Sequence, residues 1–260
     1  MPDADFIRSE SFDRQGFAIL PSAVDRESIN DYLEGLKAAE PGQLMLIDHE
    51  TGVRTFHPGE DDKRLRVSLN RLTETHWAVP EARSLFSRTI IEFLQLALQS
   101  SQLLCFETFH HEVGLGMRMH REGWYVRLRG GGPLVTVWIA LADIGEGGGE
   151  PQYSPGSHLL HGFGDARLDD AATHEQVVNR FGSECAEIRR FGARKGDVLV
   201  TRGDLGVGGA PVADECRMFV GHFCALADEP AYFENLAAEF RVKRQLKREL
   251  YSSTVYAGKY

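Results

Sequence analysis

The sequence predicts a mainly β protein, a sandwich or barrel with supporting helices. Three observations point there. After Ser101, short β-rich runs follow one another: LLCFETF, WYVRL, LVTVWIAL, CAEIRRF, GDVLVT and RMFVGHFC. Glycine-rich turns such as GLG, RGGGP and GEGGGEP separate them, and short strands set off by turn signals indicate packed or closed sheets. The first hundred residues instead carry helical periodicity. No repeat or long linker divides the chain. The expected division is therefore a single domain over 1–260, with helical support in 1–100, a barrel in 101–234 and a C-terminal helix in 235–260.

The elements follow in order. GFAIL, from Gly16 to Leu20, is a short apolar run ended by Pro21. Asp25 then precedes RESINDYLEGL, where Ile29, Leu33 and Leu36 recur at helical spacing, so Asp25 reads as an N-cap. A second helix is expected from Glu81 to Ser100, because Leu85, Phe86, Ile90, Phe93, Leu94 and Ala97 fit a period near 3.6. Within the β region, Asp169 to Gly182 reads as a helical insertion. The tail from Asn235 to Leu250 reads as a basic amphipathic helix packing one face on the barrel.

Composition excludes several classes. Of 260 residues, 42% are hydrophobic and 26% charged, so the chain is globular and not disordered. The apolar run Ile90 to Leu98 is broken by Glu92 and Gln95, and no stretch reaches the ~20 apolar residues of a membrane helix. A net charge of −9 argues against a nucleic-acid partner. The start MPDADFIRSE lacks the apolar core of a secretory signal. Cys105, Cys185, Cys216 and Cys224 contain no C-x-x-C spacing and read as reduced thiols, so a cytoplasmic location is expected.

Chemistry concentrates in GLGMRMHREGWYVRL. His120 and Glu122 lie two apart in an expected strand, which puts both on one face and Arg121 on the other. Such a pair can supply two ligands of a facial metal triad. An inward histidine bonded to a carboxylate has the same spacing.

The surrounding order narrows the choice. VWIAL with Trp138, the PGSH turn at Pro155 to His158, the GDVL strand at Gly196 to Leu199, and Arg217 near the end of the barrel follow in sequence. This order resembles the phytanoyl-CoA dioxygenase-like family of non-haem Fe(II), 2-oxoglutarate-dependent oxygenases, over about Gly16 to Phe233. The resemblance implies a double-stranded β-helix, a cupin-like jelly-roll barrel with the metal in its mouth. It implies His120 and Glu122 as metal ligands, Glu replacing the family's Asp. It also implies Arg217 as the cofactor-binding residue that clamps the far carboxylate of 2-oxoglutarate.

One position departs from the pattern. Where the family reads approximately D-L-x-H-G-G-x-P, this chain has Asp204-Leu205-Gly206-Val207-Gly208-Gly209-Ala210-Pro211. Valine has no lone pair, so the third ligand is absent at Val207. Three readings remain open. Iron binds through His120, Glu122, 2-oxoglutarate and water. Alternatively, His110, His111, His158 or His222 substitutes as donor, although His222 lies at an odd offset from Arg217 that turns it to the other strand face unless a bulge intervenes. In the third, no cofactor binds, and His120 and Glu122 are a general acid–base pair or binding groups only.

Trp124 and Tyr125 follow the pair, and Trp124 shares its facing on strand geometry. Trp124, Tyr125 and Trp138 are candidates to line the pocket around a planar or apolar substrate. Gln152 precedes the PGSH turn and could aim a polar group at a ligand. Arg118 is expected inward beside His120 as an anion contact, with Arg121, Arg127 and Arg129 on a solvated face. Gln43 to Arg71 and Gly162 to Gly182 are expected lids. The function the resemblance implies is a small-molecule-modifying enzyme of the Fe(II)/2-oxoglutarate oxygenase superfamily, in specialised biosynthesis, with an incomplete facial triad. Its alternatives are a metal-independent isomerase, cyclase or lyase, and a catalytically inactive binding protein.

Overall fold

The structure is a computed structural model that describes residues 11–39, 44–47, 54–56, 71–73, 75–114, 116–126, 128–163, 171–209, 215–228, 230 and 255–257. Strand β1 (Phe17–Leu20) leads into helix α1 (Arg26–Ala38). The Asp25 carboxylate accepts from the Ser28 backbone N–H at 2.8 Å and caps α1 as its sequence requires. Three short strands follow, β2 (Met45–Ile47), β3 (Arg54–Phe56) and β4 (Arg71–Thr73), then α2 (Thr75–Ala78) and α3 (Arg88–Ala97). The 1–100 region is therefore not helical support alone. Helix α3 also begins later than its periodicity suggested: Pro80–Arg83 form a separate 3₁₀ turn, and Ser87 restarts the helix as its cap. Leu85 and Phe86 are buried all the same, which is why they imitated helical periodicity.

Next come β5 (Gln102–Val113), β6 (His120–Arg121), β7 (Val135–Ala140), β8 (Pro151–Ser154), α4 (Ala171–Glu184), β9 (Arg189–Arg190), β10 (Val198–Arg202), β11 (Gly206–Gly209), β12 (Glu215–Ala225) and β13 (Val255–Ala257). Trp124 and Tyr125, expected to open the strand WYVRL, are not in one; Glu122–Trp124 form a 3₁₀ turn with Tyr125 at its end. Residues 235–254 and 258–260 of the expected C-terminal helix lie outside the described residues. The described part, β13, is a strand paired with β5.

Among the described residues, nine strands form a major sheet in the order β1-β10-β7-β12-β5-β4-β2-β3, with β13 also on β5. Four strands form a minor sheet, β6-β11-β8-β9. Every pairing is antiparallel. Two antiparallel sheets over a shared core make the jelly-roll, a mainly β fold with few helices.

Period-2 alternation sorts the major sheet into two layers. Val135, Val137, Ile139, Val198, Val200, Phe219 and Phe223 pack on the helical side against Ile29, Tyr32, Ile90 and Phe93. Trp138, Leu199, Met218 and Val220 point the other way and meet Tyr153, Leu205 and Val207 of the minor-sheet side. The second layer is the barrel interior. Outside the minor sheet, Phe181 of α4 and Cys185 just beyond it pack with Phe163 and Met119. None of the described helices is long and apolar enough to cross a membrane.

Close backbone approach positions β6. A Cβ on Gly208 of β11 would lie 2.9 Å from the Met117 carbonyl oxygen and 3.1 Å from the Met119 nitrogen. The segment entering His120 therefore rests directly on β11. Gly208→Ala is expected to destabilise the fold by about 1–3 kcal/mol, the usual cost of overpacking against a backbone that cannot yield. A urea titration followed by circular dichroism checks this; an unchanged midpoint contradicts it.

Candidate active site

The centre of the site is set by one pair of neighbouring strands. In the β11–β6 ladder, Val207 pairs directly with His120, and on its other side with Tyr153 of β8. Directly paired residues project to the same face. Val207 is 2% exposed and packs in the interior cluster with Trp138, Leu199 and Val220.

His120 is buried, and its Nδ1 lies 2.8 Å from the Arg118 carbonyl oxygen. A carbonyl only accepts, so Nδ1 carries a proton and Nε2 is the ring atom turned toward Glu122. That Nε2 is buried, makes no hydrogen bond among the described residues and lies 3.5 Å from Glu122 Oε1. Strand β6 ends at Arg121, so Glu122 reaches the pair from a 3₁₀ turn and not from strand alternation. On the far side of Glu122, His222 Nε2 lies 3.8 Å from Oε2. His222 Nδ1 is 3.2 Å from Glu107 Oε2. The result is an alternating chain of Glu107, His222, Glu122 and His120 inside the barrel.

Electrostatics follow from this arrangement. Burial opposes ionisation of Glu122, but the adjoining His120 ring and the His222 and Arg71 charges hold its carboxyl at about 2. Burial likewise opposes a charge on His222; its hydrogen bond to Glu107 and the two flanking carboxylates win and raise its pKa. Buried His111 is driven the other way, by desolvation and then by the Arg71 and His110 charges, and stays neutral. Tyr125 sits at the rim with its ring 5.5 Å from that of His120.

Several expected positions lie elsewhere. Arg217 donates from Nε to Glu112 Oε2 at 2.7 Å. The other Glu112 oxygen meets His110 Nε2 at 2.8 Å, and His110 Nδ1 meets the Tyr32 hydroxyl of α1 at 3.1 Å. Arg217 thus belongs to the helical layer, while Met218 and His222 face the interior. The β5–β12 register slips between Glu215 and Met218, and a one-residue slip exchanges the two faces of a strand. The odd offset between Arg217 and His222 is as expected, but it is His222 that turns inward.

Arg118 is exposed and bonds Glu175 and Asn179 of α4, not an interior ligand. Trp124 packs outside the minor sheet, its ring 5.2 Å from Phe181 and its Nε1 donating to the Phe163 carbonyl; the turn at Glu122–Trp124 breaks the assumed alternation. Arg121 is not solvated but buried, donating to the carbonyls of Ser157, Leu160 and Phe163. Trp138 is interior, donating to Thr201 Oγ1 at 3.2 Å. Gln152 pairs with Gly208 and is half-buried, one position before interior Tyr153 and so on the opposite face of β8. His158 bonds the Asp13 carbonyl. Arg127 lies outside the described residues. Sequence reasoning missed Glu107 altogether, together with Arg71, which sat in an expected lid.

The structure departs at two positions from the iron site that the sequence resemblance implies. An aliphatic side chain fills the seat opposite His120, and Arg217 serves the other layer. Among the described residues, no group of three His, Cys, Asp or Glu is disposed to hold a metal ion.

The ion pair behind Glu112 has a measurable consequence. Burial opposes its charge, but His110 and Arg217 bring it from 4.5 to about 2. A carboxyl lowered by folding contributes stability that is complete above its ordinary value and lost as pH falls through the folded one. Urea unfolding between pH 5 and 2 should therefore show a falling acid limb that flattens in Glu112→Gln; identical limbs contradict this.

The chain was compared with known proteins. The profile of the phytanoyl-CoA dioxygenase (PhyH) family matches residues 12–212, so Arg217 and His222 lie beyond the match. No curated protein matches. Among solved structures, the non-haem α-ketoglutarate-dependent carbocyclase SnoK from nogalamycin biosynthesis aligns with a TM-score of 0.63 at 16% identity, over 89% of this chain and 90% of that one. The epimerase SnoN, in complex with Fe3+, α-ketoglutarate and nogalamycin RO, aligns at 0.61 and 17% identity, over 86% and 85%. AviO1 from Streptomyces viridochromogenes Tue57 aligns at 0.56 and 19%, over 87% and 97%. These likenesses carry the fold, and the profile carries the ancestry: the chain belongs to the phytanoyl-CoA dioxygenase family.

Proposed function

We propose that this chain is a small-molecule-modifying enzyme of specialised biosynthesis that uses the family barrel for metal-independent acid–base chemistry, as an isomerase, cyclase or lyase. The observation that carries this reading is the Val207–His120 pairing, which puts a methyl-bearing side chain where a third donor would stand. The same pocket supplies a base and an acid. His120 Nε2 holds a lone pair and accepts a proton from an acidic C–H of the substrate. His222, kept protonated between Glu107 and Glu122, donates one to a developing oxyanion or leaving group. Glu122 faces both rings and stabilises whichever imidazolium exists. Its gaps of 3.5 and 3.8 Å exceed a hydrogen bond, and catalytic contacts of this kind tighten when substrate binds.

Two measurements test the reading. In anaerobic calorimetric titration with Fe(II), Val207→His should gain at least ~10–100-fold in affinity over the wild type, since even an outer-shell partner is worth that much. Tight, stoichiometric binding by the wild type that disappears in His222→Gln would overturn the reading and make His222 the third donor. In EDTA and D2O, the wild type should wash deuterium into enolisable ketones, and Glu122→Gln should lower the rate roughly 10²–10⁴-fold. Exchange that is insensitive to Glu122 would remove it from the machinery.

A further inference from the structure

The nitrogen that His120 turns away from Glu122 has its own support. A ladder continued in register beyond Val207 and His120 would set Gly209 against Arg118. Instead the Gly209 N–H donates to the Met117 carbonyl at 2.9 Å, one residue out of register, and the chain bends at Met119. The bend brings the Arg118 carbonyl to His120 Nδ1 at 2.8 Å. A hydrogen bond between two residues so close in sequence exists only while the backbone between them keeps that bend.

Two surfaces hold the bend. On one side is β11, where glycine at 208 admits the 117–119 backbone; a Cβ there would stand 3.2 Å from the Arg118 carbonyl carbon. On the other side is α4. Met119, at the bend, is buried with Phe181 of α4 and Cys185, and a Cβ on Gly182 would meet the Met119 Cβ at 3.8 Å, an ordinary contact. The Arg118 side chain reaches the same helix, its Nη1 donating to Asn179 Oδ1 at 3.0 Å and Glu175 Oε1 at 3.3 Å. Positions 175 and 179 are four apart and share one helix face. Arg118 therefore carries two tasks. Its carbonyl holds the His120 ring, and its guanidinium holds α4.

We infer that Arg118 is a positioning residue for His120: it fastens the bend at Met119 to α4, so that the seating of α4 sets the orientation of the His120 ring. The inference rests on the acid–base reading for its bearing on catalysis. The hydrogen bond made by one imidazole nitrogen decides where the other points. His120 Nε2 stands 3.5 Å from Glu122 Oε1, beyond a good hydrogen bond, so a small rotation of the ring decides how the two meet. The contact of Arg118 with Glu175 is exposed, the two side chains being 63% and 62% accessible. Such a pair contributes little to global stability. Its effect is local, on which way the bend and the ring settle.

The test reads the His120 ring by nuclear magnetic resonance in protein labelled with 15N-histidine, in EDTA at one fixed pH. The Nδ1–H proton is assigned by its loss in His120→Gln, and its exchange with water is measured. Removing both partners on α4, in the double variant Glu175→Ala/Asn179→Ala, should speed that exchange roughly two- to fivefold, the range an exposed pair supports. Glu175→Arg should speed it as well, and adding Arg118→Glu to that variant should restore the wild-type rate. Arg88→Gln, which removes an exposed pair on α3, should leave it unchanged. Far-ultraviolet circular dichroism confirms folding, and Arg118→Gln serves if the double alanine variant does not fold. In the deuterium assay the double alanine variant should lower kcat and leave KM unchanged. An unaltered ring proton in the α4 variants, an equal rise in Arg88→Gln, or an unaltered kcat where turnover depends on Glu122 overturns the inference. Failure of the acid–base reading looks different: the ring proton would still respond to α4 while deuterium exchange stayed independent of Glu122.

Discussion

The antiparallel register between β11 and β6 is the constraint from which the site follows. Backbone hydrogen bonds fix which residue stands opposite His120, and that residue is Val207. Side chains at such paired positions are about 5 Å apart and share a face, so the identity of residue 207 decides what His120 Nε2 can meet. A histidine there would converge on the imidazole and carboxylate. A valine instead joins Trp138, Leu199 and Val220 in the apolar interior. The nitrogen of His120 is thereby left to Glu122, and through Glu122 to His222. Gly208, next in the strand, lets the 117–119 segment lie flat on β11 and keeps this register close-packed.

Strand β12 carries the second organising feature. Its alternate residues serve two different layers. Phe219 and Phe223 join the helices, while Met218, Val220 and His222 look into the barrel. The slips in its pairing with β5, between Glu215 and Met218 and again at His222 and Phe223, set which set faces which way. They put Arg217 with Glu112, His110 and Tyr32, a polar seam under α1. They also bring His222 against Glu107. One strand thus divides two charged clusters that share no residue.

The fold was largely legible because it depends on periodicity and turn chemistry. The run VTVWIA at 135–140, apolar but for Thr136, forms β7, buried on both faces, and the Asp25 cap starts α1 where it should. His120 and Glu122 do come together, but a 3₁₀ turn and not the strand alternation assumed from their spacing delivers the carboxylate, and Val207 stands beside His120 in the ladder. What escaped depended on departures from regular geometry. A turn at Glu122 sent Trp124 outside, a slip in β12 reversed Arg217 and His222, and Arg118 found partners on α4 that lie about sixty positions away in sequence. Short strands such as β4 carry too few residues to show a period, so Arg71 could not be assigned to the interior wall. Glu107 lacked any motif; only the ladder brings it to His222.

The seam beneath α1 also bears on how this protein could change over generations. Arg217 grips Glu112 on the same sheet face that seats Tyr32. A histidine introduced at position 207 would stand beside His120 in the ladder, yet the Arg217 guanidinium would still be occupied as glue between layers. Freeing it would loosen the scaffold before any gain appeared. Structural employment of this arginine therefore ties any new role for it to the joint between sheet and helix.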